Sequence, residues 1–526
     1  MSLLTCTLYV VGAIFALPPV TSLFADGIGR RKTIIVAGIL FAIAMAMQAS
    51  AASVSYPASK ALLWSGRAFL GIPVAFSVTT SPMFLSEIAP KESRGFFGGL
   101  FQFTLLIFLV VAAGIGMGIN SAFPLSENAY QYAVWWMVPV GLLCSAAMYC
   151  SNETPQFLML KGKYDEAETV LFHLREGSDE KSIRKEFNLM KEEIDAEIAL
   201  GEVTYKDLFS GFPLRIILIT SLMQALQQMS GMNILNNYAP KLYEGVIDNP
   251  AMYGFLGNIV QLIGTIPSAL IVDRVGRRPL LMGGTVALGL AWVVIAILND
   301  TIIQQPEECL RAFSCPESIT DCDTDAIFTS ASMGIESVCS MFEQGSSNYT
   351  SCSASSNFQF IPADTFNLDC LYTGDGAPTA MDPTANVAPI VSYVILAMTF
   401  IIDFVFGFTL GPIVWSYNAE IAPTKFRAQI LGLAAASNLF WTGFVTYVPP
   451  ILIGAIGYDT FWIFAGCMVI ACAFFYWIVE TKGLPLEVVT EKWEKKLNCE
   501  YTNLHHTENG GSFDTDSEEE QEDAMA

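Results

Sequence analysis

Gln227-Gln228-Met229-Ser230-Gly231-Met232-Asn233-Ile234-Leu235-Asn236-Asn237-Tyr238 is the stretch from which the rest of the chain is read. It lies in an apolar segment running from about Ile216 to Tyr243, long enough to cross a bilayer as helix. Five amides, a hydroxyl and a phenol in such a segment are costly to bury without partners. Their spacing supplies a purpose. Gln224, Gln227, Gln228 and Gly231 fall at i, i+3, i+4 and i+7, so on one helix they share a face, and Asn233 and Asn237 share a neighbouring one. Amides both donate and accept, which suits a neutral polyhydroxylated ligand better than an ion. A single amide would read as glue between helices; a cluster at membrane depth marks a site.

The composition agrees with a membrane setting. Of 526 residues 53% are hydrophobic and 15% charged, against about 25% charged in a soluble chain. The net charge of -23 excludes a nucleic-acid partner, which requires the opposite sign. Part of that charge sits in Asp514-Thr515-Asp516-Ser517-Glu518-Glu519-Glu520-Gln521-Glu522-Asp523, which has no base and no apolar period and reads as disordered. Apolar runs place eleven membrane helices at about 3–24, 33–51, 61–85, 97–119, 134–151, 214–243, 252–272, 280–299, 389–419, 429–451 and 456–479. Basic residues follow the first, third, fifth, seventh and ninth of these, so the C-terminus is expected to be cytoplasmic and the N-terminus exoplasmic. No nucleophile–base pair, phosphate loop or metal cluster appears, so neither an enzyme nor a cofactor is expected. His173 reads as a surface histidine, and the adjacent His505 and His506 alone make a poor metal site.

An internal repeat divides the chain. Asp26-Gly27-Ile28-Gly29-Arg30-Arg31 recurs as Asp273-Arg274-Val275-Gly276-Arg277-Arg278. Glu87-Ile88-Ala89-Pro90, with Arg94 seven beyond the acid, recurs as Glu420-Ile421-Ala422-Pro423 with Arg427 seven beyond. Glu153-Thr154 recurs as Glu480-Thr481. All fall at expected cytoplasmic helix ends, and the expectation is a ring of charge pairs able to link the two halves when that side is shut.

These repeats resemble the motifs of the sugar porters of the major facilitator superfamily, from Met1 to about Leu486. The opening stretch resembles their seventh-helix Gln-Gln-x-x-Gly-x-Asn-x-x-x-Tyr-Tyr signature; Gly66-Arg67-x-x-x-Gly71, Gly411-Pro412-x-x-Trp415 and Glu480-Thr481-Lys482-Gly483 also match. The resemblance implies an all-α bundle of two halves that moves a sugar, foremost a hexose, across a membrane by alternating access. Its partners would be a small-molecule sugar, the lipid bilayer of the plasma membrane and, as a coupling ion, the proton. The domains would be an N-terminal half over 1–151, a cytoplasmic helical domain over 152–212, a C-terminal half over 213–480 with an insert at 300–388, and an acidic tail over 481–526. A polyol or inositol transporter and a sugar sensor without net flux are the alternatives; the short acidic tail argues against the sensor.

There are departures. Asn152-Glu153-Thr154-Pro155-Gln156 lacks the arginine of the family's Pro-Glu-Ser-Pro-Arg, and Asn237 replaces the first tyrosine of the Tyr-Tyr pair. The first helix already ends in the motif of the family's second helix. The expectation from this is a further apolar run encoded upstream of Met1.

The resemblance also implies the site. Gln102, Gln227, Gln228 and Asn233 match sugar-contacting amides, and Gln261 stands where the family commonly has Asn. Trp415 matches a tryptophan whose apolar face suits the C–H face of a pyranose. Asn438 and Thr442 are expected to face inward, and Gly407 and Gly411 to leave room for half-helix movement. Arg67 and Asp403 are charges at membrane depth, each costing about 2.5–3.5 kcal/mol on insertion scales. The family's partner acid for Arg67 belongs to the absent first helix. Asp403 reads as either a substitute proton carrier or a solvated group at the exoplasmic mouth.

The insert holds Cys309, Cys315, Cys322, Cys339, Cys352 and Cys370 and the sequon Asn348-Tyr349-Thr350. An even set in an oxidising compartment reads as disulfides, with fifteen connectivities open. On intact cells the six cysteines are expected to resist maleimide until reduced, and Asn348 to carry glycan. Labelling without reduction overturns the disulfides; labelling only after permeabilisation overturns the topology.

Overall fold

Inside hydrocarbon every backbone N–H and C=O must be satisfied within the protein, so apolar runs of this length fold as helices. A computed structural model of the protein describes residues 2–90, 94–122, 129–199, 205–236, 250–302, 387–423, 426–456, 459–484 and 486–498, and these contain no strand. The cysteines of the insert, Asn348, Asn237 and the acidic tail beyond Asn498 lie outside the described residues.

In order the helices are α1 (Ser2–Phe15), α2 (Pro18–Thr21, continued by a π-helical turn Ser22–Asp26), α3 (Arg30–Ser50), α4 (Tyr56–Ile88), α5 (Arg94–Ala122), α6 (Ala129–Trp135) and α7 (Met137–Tyr149). Then come α8 (Pro155–Leu160), α9 (Tyr164–Leu174), α10 (Glu180–Ala199), α11 (Tyr205–Leu208), α12 (Gly211–Gln228), α13 (Pro250–Val275) and α14 (Arg277–Ile302). The chain continues with α15 (Val387–Phe408), α16 (Leu410–Ile421), α17 (Arg427–Ile456), α18 (Thr460–Trp477) and α19 (Leu486–Leu497). Among the described residues nine helices are long and apolar enough to cross a membrane, and the bent pair Leu3–Phe15 with Pro18–Asp26 makes ten. α12 is the remaining expected span; Gln224, Gln227 and Gln228 lower its hydropathy.

Three expected straight helices are broken. The first bends by 68°, because Leu17 precedes Pro18 and takes an extended backbone, φ -63° and ψ 148°. The helix expected at 389–419 splits at Thr409, φ -124° and ψ -84°, three residues before Pro412, whose ring nitrogen has no proton to offer. The stretch expected at 214–243 breaks after Gln228 and turns at Gly231, φ 79°.

Helices α1, α3, α4 and α7 pack into the first half, around Leu8, Ala44, Met45 and Leu70. Helices α12 to α18 pack into the second, whose larger core includes Met223, Ile234, Trp292 and Phe475. The halves meet along two seams, α1 against α17 and α5 against α13 and α16. Small residues let the seams close: a Cβ on Gly12 would stand 3.1 Å from Leu439 Cδ1, and one on Gly98 2.9 Å from Ser416 Cβ. Helix α19 docks against the second half with Trp493 wholly buried, so that half extends past the boundary expected at 480. Helices α8, α9 and α10 share a small core of Leu158, Met159, Ala167 and Ile194. Arg175, after α9, donates to the carbonyl of Ile88 at 3.0 Å and pairs with Glu186 at 3.0 Å, tying this domain to the end of α4.

The repeated motifs build one structure twice. Arg30 pairs with Asp26 at 3.3 Å and Glu87 at 3.2 Å, and Thr154 donates to the other Glu87 oxygen at 2.5 Å. Arg277 pairs with Asp273 at 2.9 Å and Glu420 at 2.7 Å, and Thr481 donates to the other Glu420 oxygen at 2.5 Å. Glu153 accepts the backbone N–H of Arg31, and Glu480 those of Arg277 and Arg278, so each carboxylate caps the start of a helix where the dipole favours negative charge. Burial raises the Glu153 carboxyl pKa, and those N–H bonds oppose the rise. The expected ring between halves is corrected on this point: among the described residues each of these clusters closes within its own half. An arginine this buried needs its acids within hydrogen-bond reach, and the near acids belong to its own repeat. Arg427 donates to the carbonyl of Ala422 at 3.4 Å, and the Arg94 side chain lies outside the described residues.

Gly276 holds φ 108°, and a Cβ there would stand 2.8 Å from Glu480 Oε2. Gly276→Ala is therefore expected to destabilise the protein by about 1–3 kcal/mol. Gly466→Ala, where a Cβ meets open space on α18, should not. Thermal unfolding in detergent distinguishes the two; equal melting temperatures would refute the assignment.

Candidate functional site

The polar centre of the second half is built where two chain breaks meet, after Gln228 and at Thr409. Gly231 lets the chain turn beneath Trp292, with a notional Cβ only 2.7 Å from the indole. The wholly buried Trp292 donates from Nε1 to the carbonyl of Ser230 at 2.8 Å and stacks on Phe461 with centroids 5.4 Å apart. This fixes the end of α12 and aims its glutamines at the break between α15 and α16.

Gln227 spans that break. Its Nε2 donates to the carbonyls of Leu410 at 2.8 Å and Gly411 at 3.2 Å. Its Oε1 accepts from Asn438 Nδ2 at 2.9 Å and from Gln228 Nε2 at 3.5 Å. Asn438 also donates to Gln224 Oε1 at 2.6 Å, and Asn233 donates to Gln228 Oε1. The amides of α12, the turn after it and α17 thus form one chain of hydrogen bonds. Gln261, on α13, lies against Gly407, whose notional Cβ would be 3.2 Å from its Cγ. Gln102 reaches in from the first half: a Cβ on Gly411 would stand 3.5 Å from its Cγ. Gln102, Gln227, Gln261 and Asn438 are all buried.

Several buried polar atoms have no protein partner among the described residues: Gln224 Nε2, Ser230 Oγ and Gln261 Oε1 on the residues just described, and Asn258 Oδ1 three residues before Gln261 on α13. Each such orphan costs about 1–3 kcal/mol if left unmade. Donors and acceptors are both represented, which is the pattern that hydroxyl groups satisfy. Trp415 is half-buried on α16, edge-on to Phe101 of the first half with centroids 5.5 Å apart. A cleft beside it is lined by Pro82, Ser86 and Gly98 from one half and by Ser416, Ala419, Glu420 and Arg427 from the other.

The other expected residues divide. Thr442 spends its hydroxyl proton on the carbonyl of Asn438 at 2.8 Å. Arg67 lies near the phenols of Tyr9 and Tyr130, with its Nε buried and without a partner among the described residues. Asp403 is 5% exposed, so the solvated alternative for it is corrected. Asn258 and Trp292 were missing from the sequence reading. Asn258 had a signal, standing three residues before Gln261; Trp292 had none, since an indole in an apolar helix looks like core.

The comparisons with known proteins complete this picture. The chain belongs to the sugar (and other) transporter family, whose model matches residues 1–313 and 370–493. It is a multi-pass membrane transporter of the major facilitator fold and not an enzyme. It is 24% identical over 479 residues to the low-affinity glucose transporter HXT3 of Saccharomyces cerevisiae, covering 89% of this chain and 69% of that protein. It is 24% identical over 487 residues to hexose transporter 2 of Kluyveromyces lactis, covering 90% and 71%. Among solved structures it resembles the proton:xylose symporter XylE bound to 6-bromo-6-deoxy-D-glucose, with TM-score 0.67, 19% identity and coverage of 94% and 89%. That likeness carries the fold alone.

Gln227→Ala removes the amide that both bridges the break and orients Asn438. Sugar affinity is expected to fall about ten- to a hundred-fold, about 1–3 kcal/mol. Thr442→Val, which alters a hydroxyl engaged within its own helix, should fall by less. Competition binding with labelled glucose on purified protein measures both, and equal effects would displace Gln227 from the site.

Proposed function

We propose that this chain carries a hexose across the plasma membrane by alternating access, with the arginine-rich end facing the cytoplasm. The observation that carries the reading is the amide chain Gln224–Asn438–Gln227–Gln228–Asn233 beside unpartnered buried donors and acceptors. A neutral polyol exchanges its hydration for such groups without bringing a charge into the bilayer. Trp415 offers an apolar ring face at the seam between the halves, where a pyranose would rest. Gln102 brings the first half to the same place, so a bound sugar would be held by both halves and released as they rock apart. The relatives named as glucose and hexose transporters support the choice of hexose.

A hexose-transport-null cell expressing the chain is expected to take up labelled glucose with saturation, and Trp415→Ala to abolish that uptake while the protein still reaches the surface. A panel including xylose and inositol sets the range. Saturable inositol uptake without hexose uptake would replace the substrate, and unchanged uptake by Trp415→Ala would overturn the site.

A further inference from the structure

Asp403 has no part in the amide site. It lies on α15, twelve residues before Trp415, and faces α13. A Cβ on Gly257 would stand 2.6 Å from Asp403 Oδ2, so the carboxyl rests directly on the bare backbone of α13. The same crossing continues toward the α15/α16 break. A Cβ on Gly264 would collide with the carbonyl of Phe404, and one on Gly407 with that of Gln261. Two helices therefore touch along Gly257, Gln261 and Gly264 on one side and Asp403, Phe404 and Gly407 on the other.

No hydrogen bond or ion pair joins Asp403 to any described residue. The ionisable groups on the helices packed against it are few. Helix α13 carries Tyr253, one turn earlier and stacked on Phe400 with centroids 6.5 Å apart, and then Asp273 and Arg274 in its last turn. Helix α14 carries Arg277 and Arg278 in its first turn and Asp300 near its end, the last with its side chain outside the described residues. Helix α16 carries Tyr417 and Glu420, and α15 itself adds Tyr393. Arg277 is already committed to Asp273 and Glu420, Arg278 donates to the carbonyl of Tyr476, and Arg274 lies more than about four helical turns along α13 from Gly257. No cation therefore faces Asp403 from these helices among the described residues. What α13 carries instead is a pair of amide oxygens without donors among the described residues, Asn258 Oδ1 and Gln261 Oε1. An ionised carboxylate adds another acceptor to such a surface, whereas a protonated carboxyl is a donor.

We propose that Asp403 is the proton-binding group of this transporter, neutral while α15 rests on Gly257 and ionised when the two helices part and water reaches it. The step is a protonation: the carboxylate takes a proton from water on one side of the membrane and returns it to water on the other. The close contact at Gly257 leaves no space for the oxygen shell that a metal cation requires, whereas a proton needs none. Because α15 runs directly into the break that Gln227 spans, separation at Asp403 moves the carbonyls to which the sugar site is attached. Proton binding and sugar binding would then bias one helix pair, which is the requirement for coupling.

The inference rests on the transport reading, and two assays separate them. Hexose-transport-null cells expressing the chain are loaded with sugar, and exchange of labelled glucose at equal concentrations is measured; this needs no gradient. Uphill accumulation of glucose, with alkalinisation of the medium, is then measured under an acid-outside gradient. For Asp403→Asn, the ratio of accumulation to exchange is expected to fall about ten-fold or more, and Asp403→Glu to recover part of it. The exchange signal reports whether each variant folds. Asp403→Asn that still accumulates glucose with wild-type proton uptake overturns the assignment, as does a wild type that exchanges glucose without moving protons. A wild type that exchanges no hexose overturns the transport reading and this inference with it.

Discussion

One side-chain amide holds the second half in its working arrangement. Gln227 donates to the carbonyls of Leu410 and Gly411 and accepts from Asn438, so three helices are fixed by a single group. In water such bonds would be exchangeable with solvent and worth little. In a bilayer, the breaks at Gly231 and Thr409 expose peptide groups that hydrocarbon cannot satisfy, and irregular backbone survives only where protein or a cavity meets it. The amides therefore satisfy the peptide groups that the breaks expose. They permit α12 and α15 to end in mid-membrane, and those ends frame the polar centre of the second half.

The two arginine clusters show the same constraint at the basic end. Each buries a guanidinium among two carboxylates, a threonine hydroxyl and backbone carbonyls. Removing one partner of such a group costs about 3–5 kcal/mol, while the intact cluster contributes far less, because desolvation offsets the Coulomb attraction. Their value is geometric. Each cluster makes a rigid corner of one half, and the halves keep a softer boundary of small residues and van der Waals contacts along α1–α17 and α5–α13. Rigid halves with a soft seam are what rocking motion needs.

Most of the architecture was legible in the sequence because it follows from composition and period. Apolar runs gave the spans, and the recurrence of Asp26…Arg30 as Asp273…Arg277 gave the two halves. The amide face of Gln224, Gln227 and Gln228 was legible because its residues are within two turns of each other. Closure of the charge clusters was not, since sequence order cannot say whether Glu87 meets Arg30 or an arginine of the opposite repeat. The break at Thr409 was half-legible from Pro412, but a proline inside α4, Pro73, leaves that helix continuous. The burial of Asp403 depended on Gly257, more than a hundred residues away, and no local pattern announces such a contact.

Helix α19 carries a practical consequence for handling the protein. Trp493 is sealed into the second half against Trp477, with ring centroids 5.5 Å apart, and Arg215 of α12 donates to the carbonyl of Leu497. Fluorescent reporters and purification handles are therefore to be attached after Asn498, so that the docked helix stays whole. Fusion upstream of Trp493 would uncork an indole-sized hole, a loss on the scale of about 3–5 kcal/mol for a buried aromatic. A reporter grafted there would measure the damage it caused in place of the protein's abundance.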